Sequence, residues 1–243
     1  MEVADGVHRL TQGVVNFYLL EEGGRFTLVD AGAPADWGVM ARAVAALGRT
    51  LADLDAVLLT HAHSDHTGFA ERARTEAGAR VWIHGDDADV ARTGAPGKNE
   101  AGVGRYLLRP EAYRTLVSLM RRKALKIVPI HEVSTFGDGT TVDMPGRPRV
   151  VHVPGHTEGS CAMLLEDRRV LITGDALSTH NPLTGRVGPQ IAPDGLNRDS
   201  AQALASLETL ASLPADTVLP GHGEPWTDGV AEAVRLARAA GRS

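Results

Sequence analysis

Three histidines and one aspartate stand within six consecutive positions, in the stretch Thr60-His61-Ala62-His63-Ser64-Asp65-His66-Thr67-Gly68. An apolar run, Val57-Leu58-Leu59, precedes this stretch, and a segment with a helical pattern, Phe69 to Ala77, follows it. Neutral imidazole and carboxylate are the ligands that zinc and similar divalent cations accept, and ligands within one turn converge with little loop closure. The stretch therefore predicts a metal site at a strand-to-helix turn.

The spacing within this stretch divides the four donors into two pairs. His61 and His63 are two positions apart, so they point the same way while the backbone is extended and can share one ion. Asp65 and His66 follow after the chain has begun to turn, which leaves them free to face a second ion. A polar surface loop is the alternative interpretation, but polar turns favour Gly, Asn, Asp, Ser and Pro over His.

The composition is that of an ordinary globular protein, with 43% hydrophobic and 23% charged residues in a chain of 243. A net charge of -5 argues against a nucleic-acid partner, which would favour a basic excess. No apolar segment reaches the ~18 residues that span a bilayer, so no membrane partner is expected. Met1 to Asp5 resemble no secretory signal, and the single cysteine, Cys161, forms no intramolecular disulfide, so a cytoplasmic location is expected.

Apolar periodicity predicts the elements on either side of the metal stretch. Two apolar runs flank the pair Gly23-Gly24, which is a hairpin signal. A helix is expected from Asp36 to Leu47, with four residues facing the core: Trp37, Met40, Val44 and Leu47. A second helix is expected from Pro110 to Leu125, with its basic residues on a solvated face: Arg114, Arg121, Arg122 and Lys123. The alternative is that this basic cluster holds an anionic group of the substrate.

Three later segments each place a histidine or an aspartate after an apolar, strand-like run. They are Pro154-Gly155-His156-Thr157, Leu171-Ile172-Thr173-Gly174-Asp175 and Leu219-Pro220-Gly221-His222. Together with residues 61–66, this order of motifs resembles the metallo-β-lactamase fold superfamily, and the resemblance covers nearly the whole chain. It implies an α/β fold, an αββα sandwich of two mixed β-sheets flanked by helices, in one domain over residues 1–243 with a helical insertion around 94–130.

The resemblance also implies a ligand set for two divalent metal ions, Zn²⁺ before Mn²⁺ or Fe²⁺. The first ion would be held by His61, His63 and His156, the second by Asp65, His66 and His222, and Asp175 would bridge them. Two ions about 3.5–4 Å apart can share a water and lower its pKa towards ~7, so a metal-bridging hydroxide would attack the substrate. Asp65 and Asp175 are the expected catalytic residues, Asp65 also as a proton shuttle.

The expected reaction is cleavage of an ester-type bond in a lactone, a thioester or a related carbonyl compound. Asp65, His66 and the bridging Asp175 are similar to the glyoxalase II-like and lactonase-like branches, whereas zinc β-lactamases usually carry cysteine at the bridging position. Few residues follow His222, so the glutathione-binding region of glyoxalase II is not expected, and Ser178 stands where many lactonases have tyrosine. A phosphodiesterase or nuclease, and an iron-dependent oxygenase or reductase of the same fold, are the alternatives.

Four further residues are candidates for substrate contact or for support of the ligands: Asp30, His84, Ser178 and His180. Asp30 ends a strand beside the metal stretch, where it can buttress a ligand or form an ordinary turn. A structural role is the alternative for His84, and a solvent-exposed loop position for His180. The expected partner is a small-molecule substrate. Residues 94–130 form a lid, a pocket wall or a homodimer contact.

Overall fold

Two β-sheets stack face to face in the computed structural model, which describes residues 1–243. The strands of the first sheet, in spatial order, are β1 (Glu2–Ala4), β2 (Val7–Gln12), β3 (Val15–Glu22), β4 (Arg25–Val29), β5 (Leu54–Leu58), β6 (Arg80–His84) and β7 (Ser134–Phe136). Strands β1 to β4 pair antiparallel, and β4 to β7 pair parallel. The first sheet is therefore mixed.

The second sheet contains strands from the second half of the chain, which are β8 (Arg149–His152), β9 (Cys161–Leu165), β10 (Val170–Gly174) and β13 (Thr217–Pro220). Their spatial order is β13-β10-β9-β8, and only the β10–β13 pair is parallel. Two short strands, β11 (Ser178–His180) and β12 (Val187–Gln190), form a separate antiparallel pair.

Six helices accompany the sheets: α1 (Trp37–Ala46), α2 (Ala70–Arg72, continued as a π-helical turn, Ala73–Ala77), α3 (Ala88–Thr93), α4 (Pro110–Arg121), α5 (Ser200–Ala211) and α6 (Val230–Ala240). The predicted core positions of α1 are confirmed for Trp37, Met40 and Val44, which are buried. The prediction that Leu47 also faces the core is wrong, because the residue follows the last turn of α1 and is 36% exposed.

Alternation along the strands divides the apolar residues among three packed layers. In β3, Tyr18 packs between the sheets while Leu19 faces the helical side, and Ile172 and Leu171 of β10 divide in the same way. Helix α1 covers the outer face of the first sheet, and α5 and α6 cover that of the second. This is the packing that a two-residue side-chain period imposes on two sheets buried on both faces. The predicted αββα sandwich is confirmed.

The turn between β3 and β4 shows why this part of the sheet forms. Its two residues, Gly23 and Gly24, have φ of 59° and 77°. A two-residue turn with positive φ at both positions matches the twist of the strands that it joins, and glycine adopts it without steric cost. The predicted hairpin is confirmed.

Loops from both sheets meet at the edge where the parallel strands have their carboxyl ends. Asp30 follows β4 directly and Asp175 follows β10 directly. The carbonyl oxygen of Thr60, after β5, accepts a hydrogen bond of 2.9 Å from the backbone N–H of Cys161. This bond joins the two sheets at the edge that carries the predicted metal ligands.

The segment 94–130 contains a 3₁₀ turn (Val103–Tyr106) and helix α4. The prediction that Arg122 lies on a solvated face is wrong: its side chain is buried, and its Nε donates to Asp36 Oδ1 at 3.0 Å. This ion pair fastens the end of α4 to the start of α1. In contrast, Tyr113 and Met120 on α4 are 64% and 52% exposed. None of the helices has the length and apolar character needed to cross a membrane.

Candidate metal centre

All seven predicted donors converge at the edge between the two sheets. Three groups have their donor atoms within 4.8 Å of one another: His61, His63 and His156; His61, His66 and Asp175; Asp65, His66 and His222. The first and third groups are the two ligand trios that the resemblance implied. The second group contains Asp175 and one member of each trio, so the aspartate lies where the trios meet.

The carboxylate of Asp175 faces imidazoles of both trios. Its Oδ2 lies 3.6 Å from His156 Nε2 and 3.2 Å from His222 Nε2, and its Oδ1 lies 3.4 Å from His66 Nε2. Asp65 Oδ2 lies 3.6 Å from His222 Nε2. One carboxylate thus contacts donors on both sides of the cluster, as a bridging ligand must.

Four of the five histidines are oriented by a contact at the ring nitrogen that points away from the cluster. His222 Nδ1 lies 2.6 Å from the carbonyl oxygen of Val14, and His156 Nδ1 lies 3.0 Å from Asn197 Oδ1. Since these oxygens accept, each Nδ1 carries the proton and each Nε2 keeps a lone pair directed at the cluster. Such contacts fix the orientation of a ligating imidazole and raise its basicity.

Asp30 supports two of the other histidines through a single carboxylate. Its Oδ2 lies 2.8 Å from His66 Nδ1 and accepts a hydrogen bond of 2.9 Å from the Thr60 hydroxyl. That hydroxyl oxygen lies 3.0 Å from His61 Nδ1. The backbone of Asp30 has φ of 62°, a left-handed conformation that is uncommon outside glycine and that aspartate tolerates better than most residues.

A second buried aspartate, Asp87, joins the two loops that carry the first trio. Its Oδ2 accepts hydrogen bonds from the backbone N–H of Ala62 at 2.8 Å and from the hydroxyl of Thr157 at 2.7 Å. Its Oδ1 accepts from the N–H of Gly159 at 3.0 Å. Asp87 therefore holds the loop of His61 and His63 against the loop of His156.

Burial and mutual repulsion keep the first trio neutral. Burial lowers the pKa of His61 well below its ordinary value, and the neighbouring imidazoles of His66 and His156 lower it further. Burial, with His156, lowers the pKa of His63 to about 3, and burial lowers the pKa of His156 as well. Neutral imidazole is the form that binds a metal cation.

Around His66 and His222, the nearby carboxylates outweigh burial and raise the pKa of both imidazoles. Burial opposes protonation of His66, but the carboxylates of Asp175, Asp30 and Asp65 outweigh it and raise the pKa of His66 well above its ordinary value. Burial opposes ionisation of Asp175, but His222 and His66 outweigh it and hold the pKa of the carboxyl well below its ordinary value. Asp175 is thus ionised, and its negative charge favours positive charge at the centre of the cluster.

The donor set fits divalent metal ions. His61 Nε2, His66 Nε2 and Asp175 Oδ1 are buried and have no hydrogen-bond partner in the protein. Buried polar atoms without hydrogen-bond partners are rare, and three of them in one cluster indicate that a ligand binds there. Five imidazoles and two carboxylates form a nitrogen and oxygen set that zinc and similar ions accept.

A cavity of about 610 Å³ opens on this cluster. Four of the proposed ligands line it: His63, Asp65, Asp175 and His222. The insertion supplies much of the remaining wall, including Asn99, Thr115, Leu119, Leu125 and Lys126. A volume of this size suits a small molecule.

The family model of the metallo-beta-lactamase superfamily matches residues 10–222, which include all seven donors. The chain belongs to this superfamily. The buried histidine and aspartate clusters agree with that membership, and the class of enzyme is a metal-dependent hydrolase.

Relatives in this superfamily align over most of the chain. YflN of Bacillus subtilis, a probable metallo-hydrolase, is 28% identical over 235 residues, which are 93% of this chain and 87% of YflN. YobT of the same organism, an uncharacterized protein, is 30% identical over 218 residues, which are 86% of this chain and 83% of YobT.

Solved structures of the superfamily share the fold. The metallo-beta-lactamase family protein TTHA1429 from Thermus thermophilus superposes with a TM-score of 0.71 at 27% identity, over 98% of this chain and 80% of its own. The metallo-beta-lactamase SMB-1 superposes with a TM-score of 0.73 at 19% identity, over 98% of this chain and 93% of its own. At this identity the second likeness concerns the fold alone.

Three of the candidates for substrate contact lie outside the cavity. Ser178 is buried on β11, and its hydroxyl has no partner. His180 lies on a separate surface depression, with its Nε2 4.0 Å from Glu111 Oε1. His84 is buried at the end of β6 and stacks on His152, with the ring centres 4.2 Å apart. The metallo-beta-lactamase fold thus brings Asp30 to the ligands but not these three residues.

Two supporting residues in this superfamily member were missed by the sequence analysis, namely Asp87 and Asn197. A signal for Asp87 existed, because it lies in the short 3₁₀ turn Gly85–Asp87 that follows β6, and parallel neighbours such as β4 and β6 end at the same sheet edge. No local pattern distinguishes Asn197, whose amide donates to Ala192 O and Ser200 Oγ while its oxygen contacts His156.

Proposed function

We propose that this protein is a dinuclear metal hydrolase that cleaves an ester-type carbonyl bond of a small molecule. The observation that carries the proposal is the position of Asp175, whose two oxygens face imidazoles of both ligand trios within 3.2–3.6 Å. A carboxylate in this position, with neutral imidazoles on one side and Asp65 on the other, supports a bridged pair of ions.

The ligands of the first ion would be His61, His63 and His156, and those of the second Asp65, His66 and His222, with Asp175 shared. Zinc is the preferred ion because imidazole nitrogen dominates the set, and manganese or iron are the alternatives. When bound, the ions would polarise the substrate carbonyl and activate a water molecule at neutral pH.

The residues of the chain contribute position and proton transfer. The water oxygen forms a bond to the carbonyl carbon, and the bond from that carbon to the leaving oxygen or sulfur breaks. Asp65 lines the cavity, so its carboxylate can take the proton of the water and return it to the leaving atom. The hydrogen bonds of Asp30, Asp87 and Asn197 keep the imidazoles in place meanwhile.

The bond type is inferred from the motifs together with the cavity. The Asp65-His66 pair and the aspartate at position 175 are similar to the ester-cleaving and thioester-cleaving branches of the superfamily. The cavity wall includes apolar side chains that would hold the non-reacting part of a carbonyl compound: Leu119, Leu125, Leu183 and Leu196.

Elemental analysis of protein purified without added metal, run beside a substrate panel, tests this proposal. The panel contains a lactone, a thioester, a β-lactam and a bis-aryl phosphodiester. We expect about two metal ions per chain, with turnover of the lactone or the thioester. A single iron per chain without hydrolysis, or turnover of the phosphodiester alone, would contradict it.

A further inference from the structure

Arg198 differs from Arg122 and Arg168 because its guanidinium makes no hydrogen bond within the protein. Its side chain is 13% exposed, its Nε has no hydrogen-bond partner, and the nearest carboxylate oxygen, Glu158 Oε2, is 3.8 Å away. That distance is too long for a hydrogen bond. By contrast, Arg122 is paired with Asp36, and the Nη atoms of Arg168 donate to backbone carbonyls.

The backbone of Arg198 is fixed to the metal centre. Its N–H donates to the carbonyl oxygens of Gly155 and His156, at 3.0 and 3.1 Å. The preceding residue, Asn197, contacts the His156 ring, and its carbonyl oxygen accepts from the Glu100 N–H at 2.8 Å. The backbone of Arg198 is therefore held at a fixed position relative to His156, a proposed ligand.

The guanidinium of Arg198 forms part of the cavity wall, next to the insertion. A β-carbon at Gly97 would overlap its Nη1 and Nη2 atoms, so the glycine leaves the space that the guanidinium fills. The turn around Gly97 is itself held, because Asn99 Nδ2 donates to the carbonyl of Gly195 at 2.9 Å. Lys126 lines the same cavity and adds a second positive charge.

The three carboxylates that line the cavity do not pair with this arginine. Asp87 is occupied by Ala62, Thr157 and Gly159, and Asp65 and Asp175 face the histidines. A largely buried guanidinium without a hydrogen bond is costly, whereas a charge-assisted, two-point hydrogen bond to a carboxylate compensates the loss of water.

We propose that Arg198 binds a carboxylate group of the substrate, at the end of the cavity formed by the turn around Gly97. The substrate class is then an acyl compound with an apolar body and a carboxylate remote from the bond that is cleaved. This inference rests on the proposed function, which supplies the bond, but it names a recognition site on Arg198 that the metal ligands do not provide.

Two matched thioesters test the inference: the thiophenyl half-ester of adipic acid, and the same compound with the free carboxylate replaced by a carboxamide. The measured quantity is the ratio of kcat/KM for the acid to kcat/KM for the amide. We expect Arg198→Gln to lower this ratio by about 10- to 100-fold, mainly through KM, since charge-assisted hydrogen bonds are lost. Arg198→Lys keeps the positive charge but loses the paired N–H donors of the guanidinium, so it should lower the ratio by a smaller factor.

Two further variants separate recognition from folding. Arg238→Gln removes an exposed arginine paired with Glu208, and it should leave the ratio as in the wild type. Gly97→Ala retains Arg198 but displaces its guanidinium, so it should lower the ratio too. An unchanged ratio in both Arg198→Gln and Gly97→Ala would overturn the inference.

A binding measurement distinguishes this inference from the proposed function. Adipate is titrated calorimetrically into metal-loaded wild type, Arg198→Gln and Arg238→Gln. Weaker binding only in Arg198→Gln, without thioester turnover by the wild type, would uphold the carboxylate site while the proposed reaction fails. Equal binding by all three proteins would place adipate on the metal ions alone and overturn the carboxylate site.

Discussion

Asp30 Oδ2 and His66 Nδ1 lie 2.8 Å apart, and both side chains are buried. The same carboxylate accepts hydrogen bonds from the backbone N–H and the hydroxyl of Thr60, through which it reaches His61. One residue at the end of β4 thus orients a donor in each of the two proposed ligand trios. The left-handed backbone conformation of Asp30 is a local strain that the surrounding hydrogen bonds maintain.

Replacement of Asp30 by asparagine is expected to weaken metal binding by about 10- to 100-fold, the usual effect of losing an outer contact to a ligating histidine. Asparagine also tolerates the left-handed conformation, so the backbone should be retained. Competition with a chromophoric chelator measures the affinity. Asp55→Asn, at a surface ion pair with Arg25, is the matched control, and equal affinities in the three proteins would contradict the supporting role of Asp30.

Asp175→Ala is expected to lose bound metal and to lower kcat by at least about 100-fold, because both proposed ions lose a shared ligand. The metal-free fold should persist, since Asp175 makes contacts to the histidine donors rather than to the apolar core. Elemental analysis, circular dichroism and activity are measured on the same preparation. Wild-type activity in metal-saturated Asp175→Ala would exclude the bridging assignment.

The sequence predicts the sandwich and the seven donors because its motifs resemble those of the superfamily, and local patterns agree with that resemblance. A two-residue period separates Leu19 from Tyr18, and the His61 to His66 spacing concentrates the donors within one turn. Local patterns do not predict contacts between residues that are far apart in the sequence. Arg122 has the same local surroundings as Lys123, yet only the approach of Asp36 in three dimensions buries it in an ion pair.

The cavity was less predictable than the metal centre for the same reason. Nothing in the local sequence marks Arg198 as different from the other arginines, because its unpaired state depends on where Gly97 and Glu158 lie. For His180 the sequence left substrate contact and a solvent-exposed loop position as alternatives. The strand pair β11–β12 directs the side chain towards Glu111, outside the cavity.

Glu71 gives a pH dependence whose sign follows from its contacts. Hydrogen bonds from Arg74, at 2.9 Å, and from His131 lower the pKa of Glu71 from about 4.5 to about 2. The carboxylate therefore contributes stability above pH 4.5, and this contribution disappears as the pH falls from about 4.5 to about 2. Because the group is near the surface, we expect Glu71→Gln to cost only about 1 kcal/mol at pH 7.

Urea unfolding of metal-free wild type and Glu71→Gln, at several pH values between 2 and 7, measures this difference. The use of metal-free protein removes the pH dependence of metal binding from the comparison. The two free energies of unfolding should converge towards the acid end of the range. A difference that stayed constant over this range would show that Glu71 acts through packing and not through its charge.

Asp87→Ala is expected to destabilise the fold and the metal centre together, because Asp87 holds the loop of His61 against the loop of His156. Removal of the carboxylate leaves the buried N–H groups of Ala62 and Gly159 without acceptors, which costs about 3 kcal/mol in total. Asp89→Ala, at a side chain that is 97% exposed, is the control. Urea unfolding of the metal-free proteins and chelator competition measure the two effects. Reduced stability with wild-type metal affinity would mean that the metal loops keep their positions without this carboxylate.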